Sequence, residues 1–310
     1  MFRIGADGTG YALLREFAGG EYDGRTPYGN LTLDGSTLYG TTAGGGDSDY
    51  GTVFTMNADG TGFTLLHEFA GGVDDGSHPR CSLTLDGSTL YGMTRNGGDD
   101  DRGTVFRMNA DGTGYALLHE FTGPLGANPH GSLTLSGTTM YGMTRYGGDS
   151  NYGTVFKINA DGTGFMLLHE FTDGADDGRD PHGNLTLIGS ALYGMTRLGG
   201  DNGYGTLFRM NADGTDFTLL HEFTGTQGVS PYGSLTRYGT TLYGMTMYGG
   251  AYEGGIIFSL GLDPQTIPGP FSLLFFGTGV VGIFGFASRR RICARFPDGP
   301  VSGTERQGQS

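Results

Sequence analysis

Short apolar and β-branched runs, each bounded by glycine or another turn residue, recur along most of the chain. The third copy of the pattern gives the four kinds of run in order: GTVFRMN from Gly103, YALLHEF from Tyr115, GSLTLSG from Gly131 and TTMYGMT from Thr138. Runs of this length and composition predict β-strands, and no part of the region has a sustained helical period. Asp-Gly pairs in the linkers favour tight hairpin turns.

The phenylalanine of the Gly-Thr-Val-Phe run marks a repeat of fifty to fifty-two residues. Its positions are Phe2, Phe54, Phe106, Phe156, Phe208 and Phe258. Four short antiparallel strands per unit of this size are typical of a β-propeller blade. Apolar residues lie on both faces of the strand Phe63 to Phe69, as a sheet packed between two neighbours requires. We therefore predict an all-β propeller of about five four-stranded blades, with a parallel β-solenoid as the alternative.

The predicted repeats occupy residues 1–262. Their approximate bounds are 1–50, 51–102, 103–152, 153–204, 205–254 and a partial copy at 255–261. Residues 1–17 supply only the third and fourth strands of a blade, and the last blade lacks its fourth strand. Pairing the N-terminal hairpin with the last blade would close a five-bladed ring. A larger ring, with the sequence truncated upstream, is an equal alternative.

Glycine content and charge narrow the function. The chain has 63 glycines in 310 residues without a collagen-like period, which agrees with many turns between short strands. Its net charge of −14 leaves no basic face for phosphates, so a nucleic-acid partner is not expected. Cys81 lies in the repeats and Cys293 far beyond them, and no disulfide is expected between them.

The composition changes after Leu262. Residues 263–270 form a proline-rich linker, and residues 271–288 are uncharged and predict one C-terminal transmembrane helix. A basic cluster and polar tail, residues 289–310, begin with Arg289, Arg290 and Arg291. By the positive-inside rule these arginines stay cytoplasmic and the repeats lie outside.

The repeated phrases and the tail each resemble a known family. Leu-Tyr-Gly-Met-Thr, Gly-Thr-Val-Phe and Leu-Leu-His-Glu-Phe resemble the GloVer-type tandem repeat of Gloeobacter and Verrucomicrobia, over about 260 of the 310 residues. That resemblance implies exported proteins with assorted C-terminal anchors and implies no reaction. The tail resembles a PEP-CTERM sorting signal, through Pro268, Gly269 and Pro270 followed by an apolar span and the arginines. This implies an exosortase-like processing protease and an envelope or matrix polymer as partners.

Three features depart from these families. Gly269 stands where the sorting motif has glutamate, which puts cleavage in doubt, and nineteen residues follow the arginines. The segment Met1 to Gly5 enters a strand directly and contains no signal peptide. An exported protein needs one, so we expect that the printed start is truncated or misplaced.

A candidate ligand site comes from the residue after the proline that precedes each Leu-Thr-Leu strand. These residues are Tyr28, Arg80, His130, His182 and Tyr232. If that strand lines a central channel, their side chains form a ring at its mouth that could contact a sugar or an anion.

Other chemistry is weakly indicated. The His-Glu pairs, such as His119 and Glu120, lie on a strand and point to opposite faces, which favours a structural role such as a hydrogen bond between blades. No cofactor is expected, although aspartate-rich loops leave calcium as an alternative. We predict a non-enzymatic binding or structural protein anchored at the cell envelope or in the extracellular matrix. A secreted propeller enzyme acting on glycans is the alternative.

Overall fold

The computed structural model describes residues 1–262, which contain 27 β-strands and no helix. Within this range there is accordingly no helix with the length and hydropathy needed to cross a membrane. The predicted linker, transmembrane helix, sorting residues and tail lie outside the described residues. The all-β prediction for the repeat region is confirmed.

Five successive groups of antiparallel strands, named blades 1 to 5, contain most of the strands; the first two short segments of the second group, residues 76–77 and 96–97, form a two-stranded sheet of their own. Blade 1 has β3 (Gly24–Pro27), β4 (Thr32–Asp34), β5 (Thr37–Gly45), β6 (Thr52–Asn57) and β7 (Thr64–Glu68). Blade 2 has β8 (Gly76–Ser77), β9 (Thr84–Asp86), β10 (Thr89–Thr94), β11 (Asn96–Gly97), β12 (Thr104–Asn109) and β13 (Ala116–Glu120). Blade 3 has β14 (Ala127–Pro129), β15 (Thr134–Ser136), β16 (Thr139–Tyr146), β17 (Thr154–Asn159) and β18 (Met166–Glu170). Blade 4 has β19 (Gly178–Pro181), β20 (Thr186–Ile188), β21 (Ala191–Gly199), β22 (Thr206–Asn211) and β23 (Thr218–Glu222). Blade 5 has β24 (Val229–Pro231), β25 (Thr236–Tyr238), β26 (Thr241–Tyr248) and β27 (Ile257–Gly261).

The first strand of each blade is split, so the expected count of four strands is corrected. In blade 3, β14 and β15 both pair with β16, which is followed by β17 and β18, all antiparallel. The break spans residues 130–133, between β14 and β15. Just before it, inside β14, Asn128 has a φ of 51° and precedes Pro129. Each complete blade therefore begins with two short strand segments that are separated by a loop.

A glycine opposite a phenylalanine fixes the packing inside each blade. Gly142 on β16 pairs with Phe156 on β17, and a Cβ placed on Gly142 would lie 2.5 Å from the ring of Phe156. The same approach occurs at Gly40, Gly92, Gly194 and Gly244. Beside it, the hydroxyls of Thr144 and Thr154 share a hydrogen bond of 2.7 Å in the fully buried interior. The recurring Tyr-Gly and Gly-Thr phrases thus encode one close contact per blade.

Consecutive blades pack face to face through apolar side chains. The core between blades 3 and 4 contains Tyr141, Met143, Phe171, Leu192 and Phe208, all buried. Burial of such side chains contributes roughly 1.5–3 kcal/mol each. The hydroxyl of Thr134 also donates to the carbonyl of Leu185 in the next blade at 2.6 Å. Both faces of a middle blade are therefore covered, which is the arrangement of blades in a β-propeller.

The two ends of the described chain do not pair as one predicted ring required. β1 (Phe2–Arg3) and β2 (Ala12–Leu13) form their own two-stranded sheet. This hairpin leads to Phe17, whose ring packs on Phe54 of blade 1 at 5.4 Å. No pairing of the hairpin with blade 5 occurs within residues 1–262. Blades 1 and 5 instead approach each other at one pair of loops, where the hydroxyls of Tyr28 and Tyr232 lie 2.8 Å apart.

Candidate functional site

Five equivalent loops, one from each blade, converge at the centre of the five-blade region. Each loop follows an X-Pro pair whose first residue has a positive φ. These first residues are Thr26, His78, Asn128, Asp180 and Ser230, with φ between 51° and 56°. Such conformations are costly for residues other than glycine and persist only where the surrounding structure holds them. The proline and the sharp turn aim the next side chain at the centre in every blade.

The five predicted mouth residues lie around one cavity of about 180 Å³. This set, Tyr28, Arg80, His130, His182 and Tyr232, is called the mouth ring below. Its aromatic members contact each other in succession, with centroid distances of 5.3 Å for Tyr28 and His130, 4.0 Å for His130 and His182, and 3.8 Å for His182 and Tyr232. The guanidinium of Arg80 lies 5.4 Å from the ring centroid of Tyr28. The ligand role of these residues stays a prediction.

Backbone contacts between neighbouring loops narrow the centre below the mouth ring. A Cβ on Gly131 would lie 2.1 Å from the carbonyl oxygen of Gly183, and one on Gly183 would lie 1.9 Å from that of Gly233. The amide of Ser82 donates to the hydroxyl of Ser132 in the next blade at 2.8 Å. The mouth is therefore a pocket with a floor of closely packed backbone.

The imidazoles of the mouth ring are uncharged near neutral pH. His130 and His182 are both almost fully buried. Burial, followed by the nearby His182 and arginine charges, lowers the pKa of His130 to about 3. Burial, with the charges of Arg145 and Arg197, lowers the pKa of His182 to about 4. Positive charge at the mouth therefore comes from arginine alone.

A set of arginines that the sequence reasoning did not single out stands beside the mouth ring. In each middle blade, one arginine directly follows the Tyr-Gly-Met-Thr phrase, and these residues are Arg95, Arg145 and Arg197. We call these three the arginine column. The equivalent positions in blades 1 and 5 are Ala43 and Met247. Aligning the repeats shows that the arginine recurs after this phrase in the three middle copies and is replaced in the first and last.

Asp180 is the carboxylate held between two members of the column. It is 6% exposed and accepts a hydrogen bond from Nε of Arg145 at 2.6 Å, while Nε of Arg197 lies 2.9 Å from its other oxygen. One negative charge is thus shared by two guanidinium groups. Arg145, Asp180 and Arg197 also line a neighbouring groove of about 310 Å³ with Tyr146 and Tyr152.

Arg80 and Arg95 have no carboxylate partner among residues 1–262. Both side chains are half-buried, and the Nε atom of each is buried without a hydrogen-bond partner in that range. Burial, together with the charges of Arg80 and Arg145, lowers the pKa of Arg95. The mouth ring and the arginine column thus contain two guanidinium groups that share a carboxylate and two without a carboxylate partner, in a chain of net charge −14.

The remaining predicted sites have structural surroundings. The ring of His119 stacks on Phe165 of the next blade at 3.7 Å, and Glu120 accepts the amide of Asp99 in its own blade. In this copy the contact between blades is aromatic stacking, whereas Nε2 of His67 lies 3.1 Å from Asp75 and Nε2 of His169 lies 3.0 Å from Asp177, each aspartate just before the first strand of the next blade. Among residues 1–262 no group of three or more His, Cys, Asp or Glu side chains could hold a metal ion. Cys81 is buried, and its thiol donates to the carbonyl of Met93.

The sequence model of the Gloeobacter/Verrucomicrobia repeat matches residues 1–174 and 87–275. The predicted family resemblance of the repeats is confirmed. No curated protein matches the chain in a sequence comparison.

Two solved structures show limited similarity. The nidogen/laminin complex is 18% identical, with 77% of this chain and 80% of that chain covered at a TM-score of 0.49. A putative TolB from Agrobacterium tumefaciens is 11% identical, with 78% of each chain covered at a TM-score of 0.42. Similarity at this level informs neither the fold nor the function of this chain.

Proposed function

Since the chain belongs to the Gloeobacter/Verrucomicrobia repeat family, we propose that it is a non-enzymatic binding protein whose ligand site is the mouth ring. The observation that carries this proposal is where the repeat varies. The strands and hairpins are nearly identical from blade to blade, as a scaffold requires. The residue types differ at the mouth ring, whose five members line one cavity, and the arginine column is confined to the three middle blades.

The scaffold is well suited to binding. Five rigid sheets present one loop each, so the loop side chains are held in place without a mobile segment. Rings of tyrosine and histidine offer flat apolar faces with hydrogen-bonding edges, which suit sugars and other polar rings. We propose an envelope or matrix glycan as the ligand.

A glycan array probed with the full chain tests this function. We expect binding that Tyr232→Ala reduces at least tenfold, because this removes a stacking face and the hydroxyl that contacts Tyr28. Tyr252→Ala is the matched control, since that side chain is 97% exposed in an outer loop. The absence of any array ligand would refute the binding function. Hydrolysis of a bound glycan, lost on substitution of one carboxylate, would instead favour the alternative enzyme.

We also propose that the protein is displayed outside the cell by its C-terminal tail. Support comes from the uncharged segment 271–288 and from Arg289, Arg290 and Arg291 after it. Residues 268–270 are the proposed recognition site of an exosortase-like protease. Protease treatment of intact cells should degrade the repeats. Substituting all three arginines with glutamine should reduce retention of the protein in the envelope fraction. Repeats that remain protected inside the cell would refute the proposed location.

A further inference from the structure

The mouth of this acidic protein concentrates positive charge that its own side chains do not balance. The guanidinium groups of Arg145 and Arg197 share the carboxylate of Asp180. Arg80 and Arg95 have no carboxylate partner among residues 1–262, and they lie on adjacent backbone segments, since the amide of Arg95 donates to the carbonyl of His78 at 3.3 Å. A cation cluster of this kind is disfavoured in isolation, because like charges repel and half-burial weakens solvent screening.

Arg80 and Arg95 show the imbalance most directly. Their Nε atoms are buried and have no hydrogen-bond partner within residues 1–262, which is also true of Arg197; what sets Arg80 and Arg95 apart is the carboxylate that they lack. Neither guanidinium pairs with a described carboxylate, whereas Arg145 and Arg197 both do. The group that these two arginines lack is an acceptor with negative charge.

The neighbours of Arg80 and Arg95 add the other features of a ligand site. The ring of Tyr28 lies beneath Arg80, and the buried Nδ1 of His182 has no hydrogen-bond partner among the described residues. His130 is uncharged at neutral pH, so it adds hydrogen-bonding capacity without more repulsion. Arginine is the side chain best shaped to bind carboxylate, sulfate or phosphate oxygens in pairs.

We propose that the mouth binds the oxyanion of an acidic sugar between Arg80 and Arg95, with Arg145 close by and the sugar ring against Tyr28. This inference rests on the binding function proposed above and names its ligand class. The oxyanion supplies the acceptor that the two unpaired arginines lack. Its charge offsets the repulsion within the cluster.

Calorimetric titration of the full chain with matched probes tests the ligand class. The probes are galacturonate, its neutral counterpart galactose, and inorganic sulfate and phosphate, all at one ionic strength. We expect galacturonate to bind, sulfate and phosphate to bind more weakly because they lack the sugar ring that contacts Tyr28, and galactose not to bind. Failure of both sulfate and phosphate to bind would overturn the oxyanion site. Arg80→Gln and Arg95→Gln should each weaken galacturonate binding by about 10- to 100-fold. Arg107→Gln is the control, since Arg107 is exposed on β12 and should leave binding unchanged.

Thermal unfolding without ligand separates a binding role from a structural one. If Arg95 is retained for a ligand, Arg95→Gln relieves repulsion, so the melting temperature rises in low salt and no longer responds to galacturonate. A lower melting temperature with an unchanged galacturonate response would assign Arg95 to the fold and overturn the proposal.

The remaining outcomes keep the two proposals distinct. Equal binding of galactose and galacturonate would overturn the oxyanion site and leave the glycan-binding function intact. If no anionic probe bound but the array identified a neutral ligand, the oxyanion site would again be overturned and the glycan-binding function would stand. No ligand in either experiment would refute both.

Discussion

The histidine of the Leu-Leu-His-Glu-Phe strand occupies two different environments in adjacent blades. Nε2 of His169 lies 3.0 Å from a carboxylate oxygen of Asp177. Nε2 of His119 is buried with no hydrogen-bond partner in the described part of the chain, because blade 3 has no aspartate at the equivalent loop position. Both rings stack on an aromatic ring of the following blade, at 3.8 Å and 3.7 Å. The stacking is thus common to both, and the polar contact is not.

His119→Phe should leave the free energy of unfolding unchanged or raise it, since it keeps the stacking face and removes an unsatisfied buried nitrogen. His169→Phe should lower it by about 1–3 kcal/mol, because Asp177 loses a partner. Urea unfolding at neutral pH measures both. Equal losses for the two variants would show that stacking alone accounts for the conserved strand position.

The same substitution changes the pH dependence of stability. Burial lowers the pKa of His119 to about 4, below its ordinary value of 6.5, so the unfolded state binds the proton more tightly. The stability that depends on the neutral ring is present above pH 6.5 and is lost as the pH falls towards 4. Urea unfolding at pH 7 and pH 5 should show a smaller loss for His119→Phe than for the unchanged chain. An identical loss would contradict the assignment.

Within each blade, the Tyr-Gly strand pairs with the Val-Phe strand, and this pairing depends on a glycine that faces a phenylalanine. In blade 3, β16 and β17 bring Gly142 against the ring of Phe156, which is fully buried and cannot move aside. A methyl group there would lie 2.5 Å from one ring carbon and 2.8 Å from another. The strand pair therefore tolerates no side chain at this register position.

Gly142→Ala should destabilise the fold by about 1–3 kcal/mol through overpacking. Gly261→Ala is the matched control on β27, where an added methyl group meets no atom within 4 Å. Thermal unfolding should separate the two variants clearly. A Gly142 variant as stable as the control would show that the sheet adjusts its pairing.

The strands were predictable because every strand type repeats its composition and its turn residues in each blade. The split of the first strand was not predicted, and neither was the left-handed φ of residues such as Asn128 before proline, where the sequence favours extended structure. The mouth ring followed from one aligned column. The arginine column was missed because Arg95 and its equivalents resemble ordinary polar positions after a strand. Their shared location depends on contacts between blades, which periodicity does not encode.

Among the five blades, each middle blade is covered on both faces by its neighbours, and the last blade is not. Met143 of blade 3 is 3% exposed, while its equivalent in blade 5, Met245, is 58% exposed. Leu31 of blade 1 is likewise 39% exposed, while its equivalent in blade 2, Leu83, is 4% exposed. The described chain thus ends in apolar faces that correspond to buried faces elsewhere in the stack.

Met143→Ala should cost about 2–5 kcal/mol because it leaves a cavity between two blades. Met245→Ala should change stability by less than about 0.5 kcal/mol, as an exposed position does. Urea unfolding of the full chain compares them directly. A comparable loss for Met245→Ala would show that the face of blade 5 is covered in solution.

The central claim is that this acidic scaffold gathers arginine at its mouth to hold an oxyanion. Crystals soaked in selenate, with anomalous diffraction measured at the selenium edge, test it most directly. We predict an ordered selenium peak within hydrogen-bonding reach of the guanidinium groups of Arg80 and Arg95. That peak should be absent in Arg95→Gln and present in Arg107→Gln. Selenium peaks only at other surfaces, or none at the mouth at saturating selenate, would contradict the claim.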